Sequence, residues 1–135
     1  MSKYRELTTK NDYYIPREDY LTAIHYSRRY PLLVAELEDA LDTSTAIRYD
    51  KDPVQVSPSD DMIVNAAIKA SEIRDRIELI DAVIHECANG LDHFLRLGVC
   101  YGLTFDELKG KKMPCERTAY YTMRRRYYYE LIKKI

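Results

Sequence analysis

Glycine and proline are scarce in this chain, four and five in 135 residues, and tryptophan is absent. So few breakers leave room for long helices and little for the closely spaced turns of a β-sandwich. Valine and isoleucine recur at helical spacing and not in alternation, so strand signals are scarce too. No apolar run approaches the roughly 18 residues a membrane-spanning helix needs, so no membrane association is expected. The opening MSKYRELTTKNDYY lacks the apolar centre of a secretory leader. Cys87, Cys100 and Cys115 form an odd set without such a leader. They read as reduced thiols, with the cytoplasm as the expected location.

Catalytic signals are also missing. There is no glycine-rich phosphate loop. His85, Cys87, His93, Cys100 and Cys115 raise a zinc reading, but they lack the compact knuckle spacing of structural zinc. Cys87 moreover falls on an apolar row, where a thiol acts as a small hydrophobe. No group stands ready to orient a cysteine–histidine nucleophile. Asp60 and Asp61 are explained by a helix start. The chain therefore reads as a non-enzyme, with no metal or cofactor expected.

Charge is present but unevenly spread. The net charge is −1 overall, yet from Lys109 to Ile135 nine basic residues stand against Glu116 and Glu130 alone. That segment carries +7, which leaves −8 for the remainder. Such a split fits a polyanion partner at the basic end, or a basic helix neutralised internally by the acidic rest.

Residues 1–15 read as an irregular, tyrosine-rich lead-in. Pro16 at a first-turn position, with Glu18 and Asp19 behind it, predicts a helix whose face carries Tyr20, Ile24 and Ser27. Pro31 marks a kink or a second start, with a short apolar helix from Leu32 to Leu41. Residues 42–56 look polar and β-branched without a period, an extended loop expected to lie over the helices. Ser57-Pro58-Ser59-Asp60 is a strong helix-start signal. Ile63, Ala66, Ala70, Ile73, Ile77, Ile80, Ile84, Cys87, Leu91 and Phe94 then repeat at alternating three and four. This is the seam of a long helix packed on a partner, either within the chain or in a second copy. It keeps its phase through Asn89-Gly90, so a continuous or kinked helix is expected there.

After Gly102, a natural left-handed stop, Thr104 to Glu107 form a capping box for a short helix to about Lys109. Gly110 to Pro114 read as a turn. From Cys115 a final helix carries Tyr120, Met123, Tyr127 and Leu131 on its inner face. Helix, turn, short helix, turn, basic helix is the order of a helix-turn-helix. The candidate DNA-binding residues are Lys109, Lys111 and Lys112 in the turn, and Arg117, Thr118, Tyr121, Arg124, Arg125 and Tyr128 on the exposed side of the last helix. A solvated basic face, or a tyrosine-rich protein interface, is the competing reading of the same residues.

The segment LGVCYGLTFDEL followed by MPCERTAYYTMRRRYYYELIKKI resembles the final helix-turn-helix of sigma-factor region four. YDKDPVQVSPSDD before a long helix is similar to phage-type transcriptional regulators of Gram-positive bacteria, the RinA and ArpU group. The resemblance spans residues 49–135. It implies a phage- or prophage-encoded regulator of transcription, whose recognition helix maps onto Cys115 to Tyr128 with base contacts at Glu116, Arg117, Thr118 and Tyr121. The sequence departs from that pattern in a longer, more basic Gly-Lys-Lys turn.

The fold expected is all-α, with N-terminal helices packed on a long central helix, followed by a C-terminal helix-turn-helix. Its segments are 1–58, 59–90 and 91–135, within one compact domain. Double-stranded DNA is the expected partner, with a homodimer and host RNA polymerase as further candidates. A helical adaptor and a ring-forming factor resembling a small terminase subunit are the alternative functions.

Overall fold

The computed structural model describes residues 12–49 and 60–135, and side chains within them except at 42–49 and 60. Every element there is an α-helix: α1 (Arg17–Arg28), α2 (Tyr30–Tyr49), α3 (Asp60–Cys87), α4 (Asp92–Val99), α5 (Phe105–Gly110) and α6 (Arg117–Ile132). The all-α expectation holds. None of these helices is long and apolar enough to cross a membrane.

Two compact units form. One joins Met1–Tyr30 to Ile80–Ile135, and the other is Pro31–Leu79. The division therefore cuts through α2 and α3, away from the boundaries at 58 and 90 read from the sequence.

In the Pro31–Leu79 unit, α2 begins around Pro31 as expected, but it runs on to Tyr49 where an extended loop was expected from Asp42. The rest of that loop and the Ser57–Ser59 cap lie outside the described residues. Glu36, Asp39 and Ala40 of α2 and Ala66 and Lys69 of α3 line a shared cleft. Of the apolar seam, Ile63 is exposed and Ala66 and Ala70 are half-buried, while Ile73 is buried; Met62, Val64 and Ile68, off the seam, are exposed.

In the other unit the seam is buried at Ile80, Ile84 and Cys87. The helix does not continue beyond it. Asn89 and Gly90 both take positive φ, 50° and 88°, and α4 starts afresh at Asp92. An apolar period carries phase across such a break because it records which side is dry, not whether the backbone is helical. His85 and Asp92 meet across the break, Nδ1 to Oδ2 at 2.7 Å.

Helix α6 is central here: α1 packs on α6 and α4, and α4 packs on α5 and α6. Ser27 donates to the Ala23 carbonyl at 2.9 Å, which leaves the Tyr127 hydroxyl to donate to Ser27 Oγ at 2.8 Å. Tyr20 of α1 meets Tyr128 edge-on, centroids 5.3 Å apart. Asp81 gathers a second polar knot, accepting from Tyr30 Oη at 3.0 Å and from Arg96 Nε at 3.0 Å. Burial first, and Asp81 beside it, push the Tyr30 hydroxyl up to about 12.

Candidate nucleic-acid interface

The segment from α4 to α6 is built from strong local signals. Thr104 Oγ1 accepts from the Glu107 amide at 3.2 Å, and Glu107 Oε1 accepts from the Thr104 amide at 3.2 Å, the full capping box. Ahead of it Gly102 has φ +77°, a left-handed backbone that favours glycine, and the exposed Arg28 guanidinium lies against it. Gly98 lets α4 approach α6 closely. A Cβ built on it would overlap the Tyr120 hydroxyl and lie 3.2 Å from Tyr120 Cζ.

The turn after α5 is a Schellman motif. The Met113 amide bonds the Leu108 carbonyl at 3.2 Å and the Lys112 amide bonds that of Lys109 at 2.9 Å. Leu108 and Met113, both buried, supply its apolar contact. The left-handed position is Lys112, with φ 68°, while Gly110 is the last helical residue. A lysine thus occupies the place that glycine fills at least cost.

The predicted inner row of α6 is buried as read: Tyr120, Met123, Tyr127 and Leu131. The outer residues divide. Lys111, Lys112, Glu116, Arg117 and Thr118 are exposed, and Arg125 is half-buried. Lys109 is exposed but reaches the Met113 carbonyl at 3.2 Å, so it ties the turn together. Arg117 lies over the Phe105 ring at 4.8 Å and touches exposed Asp106 at 3.4 Å. Such an exposed pair contributes little, about 0–1 kcal/mol. Tyr121 is half-buried beneath Arg124, whose guanidinium sits 4.7 Å above its ring.

Tyr128, expected on the exposed side, is 5% exposed. The α1 helix covers it through Tyr20, and burial raises its hydroxyl pKa strongly, with Arg124 opposing. Tyr120 Oη and Arg124 Nε are buried without a hydrogen bond of good geometry among the described residues, although Arg124 lies near enough to oppose the burial that raises the Tyr120 hydroxyl. Thr122, exposed between Thr118 and Arg125, was missed by the sequence reading. Its position one turn after Thr118 was the available signal.

Cations at the far end of α6 are neutralised. Lys133 approaches Glu130 at 3.8 Å, and Lys134 approaches Glu86 at 3.6 Å and Glu130 at 3.9 Å. Among the described residues no such acid reaches Lys111, Lys112, Arg124 or Arg125. With Lys133 and Lys134 paired, the cations left without an acid run from the turn after α5 to the middle of α6.

Of the zinc candidates, Cys87 and Cys100 are buried and His85 pairs with Asp92. Burial pushes the Cys87 thiol up to about 11 and the Cys100 thiol up to about 12. Among the described residues no three histidine, cysteine or acidic side chains group together as a metal site would. Compared with family models, curated proteins and solved structures, the chain matches none.

Proposed function

We propose that the protein is a DNA-binding regulator of transcription that uses α5, the turn after it and α6 as a helix-turn-helix on duplex DNA. One observation carries this reading. Cations without acidic partners run from the turn after α5 (Lys111, Lys112) to the middle of α6 (Arg124, Arg125), while Lys133 and Lys134 at its far end approach acids and Arg117 approaches Asp106. Phosphate neutralisation needs such a surplus, and a purely structural basic helix has no use for it. The strained Lys112 supports it further, because glycine there is favoured for stability and lysine adds only a charge. The exposed first turns of α6 offer free amides and polar side chains of a size suited to a major groove.

The resemblance of residues 49–135 to the RinA and ArpU regulators points to a phage or prophage setting. Selection from random duplexes at two salt concentrations tests the proposal. A sequence-selective pool is expected, with affinity falling steeply as salt rises. Recovery of no duplex above background at low salt overturns it.

A second reading, docking on a protein such as host RNA polymerase or on another copy, is favoured by exposed Met62, Ile63, Val64 and Ile68 on α3. Capture of a protein without any duplex shift marks that outcome. A ring in solution marks the small-terminase-like one.

A further inference from the structure

Helix α6 advances about 100° per residue, so the pole opposite Tyr120, Met123, Tyr127 and Leu131 falls to Thr118, Thr122 and Arg125. Both threonines are exposed and Arg125 is half-buried. None of the three side chains has a partner among the described residues. The row stops there. Tyr129, next on the same pole, is covered by Tyr13 at 5.7 Å between centroids and by the Lys133 ammonium at 4.0 Å.

The other basic and aromatic groups of these turns lean toward α5. Arg117 rests on Phe105, and Tyr121 is flanked by Phe105 at 6.3 Å and Tyr120 at 5.4 Å. Arg124 is laid on Tyr121 with its Nε buried. Groups held this way stay at the rim of a helix docked by its outer pole, at the height of the sugar–phosphate backbone. They are not at the depth of base edges.

We infer that Thr118, Thr122 and Arg125, and not Arg117, choose the bases. This rests on the DNA-binding reading given above. The arginine fork matches the two acceptors of guanine in the major groove, and the threonine methyls and hydroxyls suit thymine methyls and adjacent edges. From Thr118 to Arg125 the helix rises about 10 Å, roughly the length of three base pairs, so the row reads a short G-containing triplet with thymine beside it.

The test measures fluorescence anisotropy on every single-base-pair variant of the selected duplex, for wild type, Thr122→Ala, Arg125→Ala, Arg125→Lys and Arg117→Ala. Circular dichroism checks that each variant is folded. Arg125→Ala is expected to weaken the preferred duplex by roughly 5- to 150-fold and to flatten the preference at one guanine. Arg125→Lys restores charge but not the forked preference. Thr122→Ala flattens a position within the same triplet, whereas Arg117→Ala weakens all variants by one common factor. Base preferences that survive Arg125→Ala and Thr122→Ala but vanish in Arg117→Ala overturn the inference and leave DNA binding standing. Wild type with no duplex affinity overturns the DNA reading itself.

Discussion

The approach of α4 to α6 at Gly98 gives a quantitative test. Replacing Gly98 with alanine inside α4 removes a poor helix former, a gain of about 1 kcal/mol from propensity alone. Against it, the new Cβ overlaps the Tyr120 hydroxyl and lies 3.2 Å from Cζ and 3.5 Å from Leu108 Cδ1. Tyr120 is 1% exposed and flanked by Phe105 and Tyr121, so its ring has nowhere to retreat. Overpacking of this kind costs about 1–3 kcal/mol, and the clamped ring argues for the upper end. The single variant should lose about 1–2 kcal/mol net.

Tyr120→Phe removes the overlapping atom, which is also a buried hydroxyl without a hydrogen bond of good geometry among the described residues. It should be neutral or stabilise by about 0.5–1 kcal/mol. In the double variant the propensity gain survives, and stability should equal or exceed wild type. The coupling between the two sites is then about 2 kcal/mol or more. Urea unfolding followed by near-ultraviolet circular dichroism reports on this unit, since only Tyr49 of the thirteen tyrosines lies in Pro31–Leu79. Additivity within about 0.5 kcal/mol would refute the close approach of α4 to α6.

Lys112→Gly should stabilise the protein by about 0.5–1 kcal/mol by relieving φ 68°, while lowering the salt slope of DNA binding by about 1; unchanged stability would contradict the strain argument. Asp81→Ala should cost about 1–3 kcal/mol in chemical denaturation because Tyr30 and half-buried Arg96 lose their acceptor, and Asp81→Asn should cost less. Alkaline stability has a definite sign. Cys87, Cys100 and Tyr30 hold their protons to about 11, 12 and 12 when folded, while the unfolded chain releases them from about 9 and 10. The unfolded state then binds fewer protons, so stability is full below pH 9 and falls as pH rises through 9–12. Ultraviolet tyrosinate titration should show a late class ionising together with loss of helix; all thirteen tyrosines titrating as one class with helix intact would contradict this.

The parts of the fold legible in the sequence are those fixed by neighbours along the chain. The Thr104–Glu107 capping box and the inner row of α6 rest on spacings of three and four and stand as read, and Gly102 is left-handed as expected although α4 ends earlier, at Val99. Residues 42–49 were misread because their β-branched, polar composition is a weak local preference, and the helix carried on through it. The turn after α5 drew attention to Gly110, but the left-handed residue falls two positions later, where the Schellman bonds close. Burial of Tyr128 was invisible for a different reason. Tyr20 covers it from α1, more than a hundred residues earlier, and periodicity along α6 knows nothing of that contact. Arg117 and Tyr121, read as exposed together with Thr118 and Arg125, instead rest against Phe105 of α5, a contact that the period of α6 does not record.

Amide chemical-shift mapping of the whole chain during titration with the selected duplex bears most directly on these ideas. Perturbations concentrated from Lys109 to Arg125, fading toward Lys133, with Pro31–Leu79 unmoved, are the expected result. Shifts centred on α3 around Met62 to Ile68, with the α5–α6 turn silent, would contradict it.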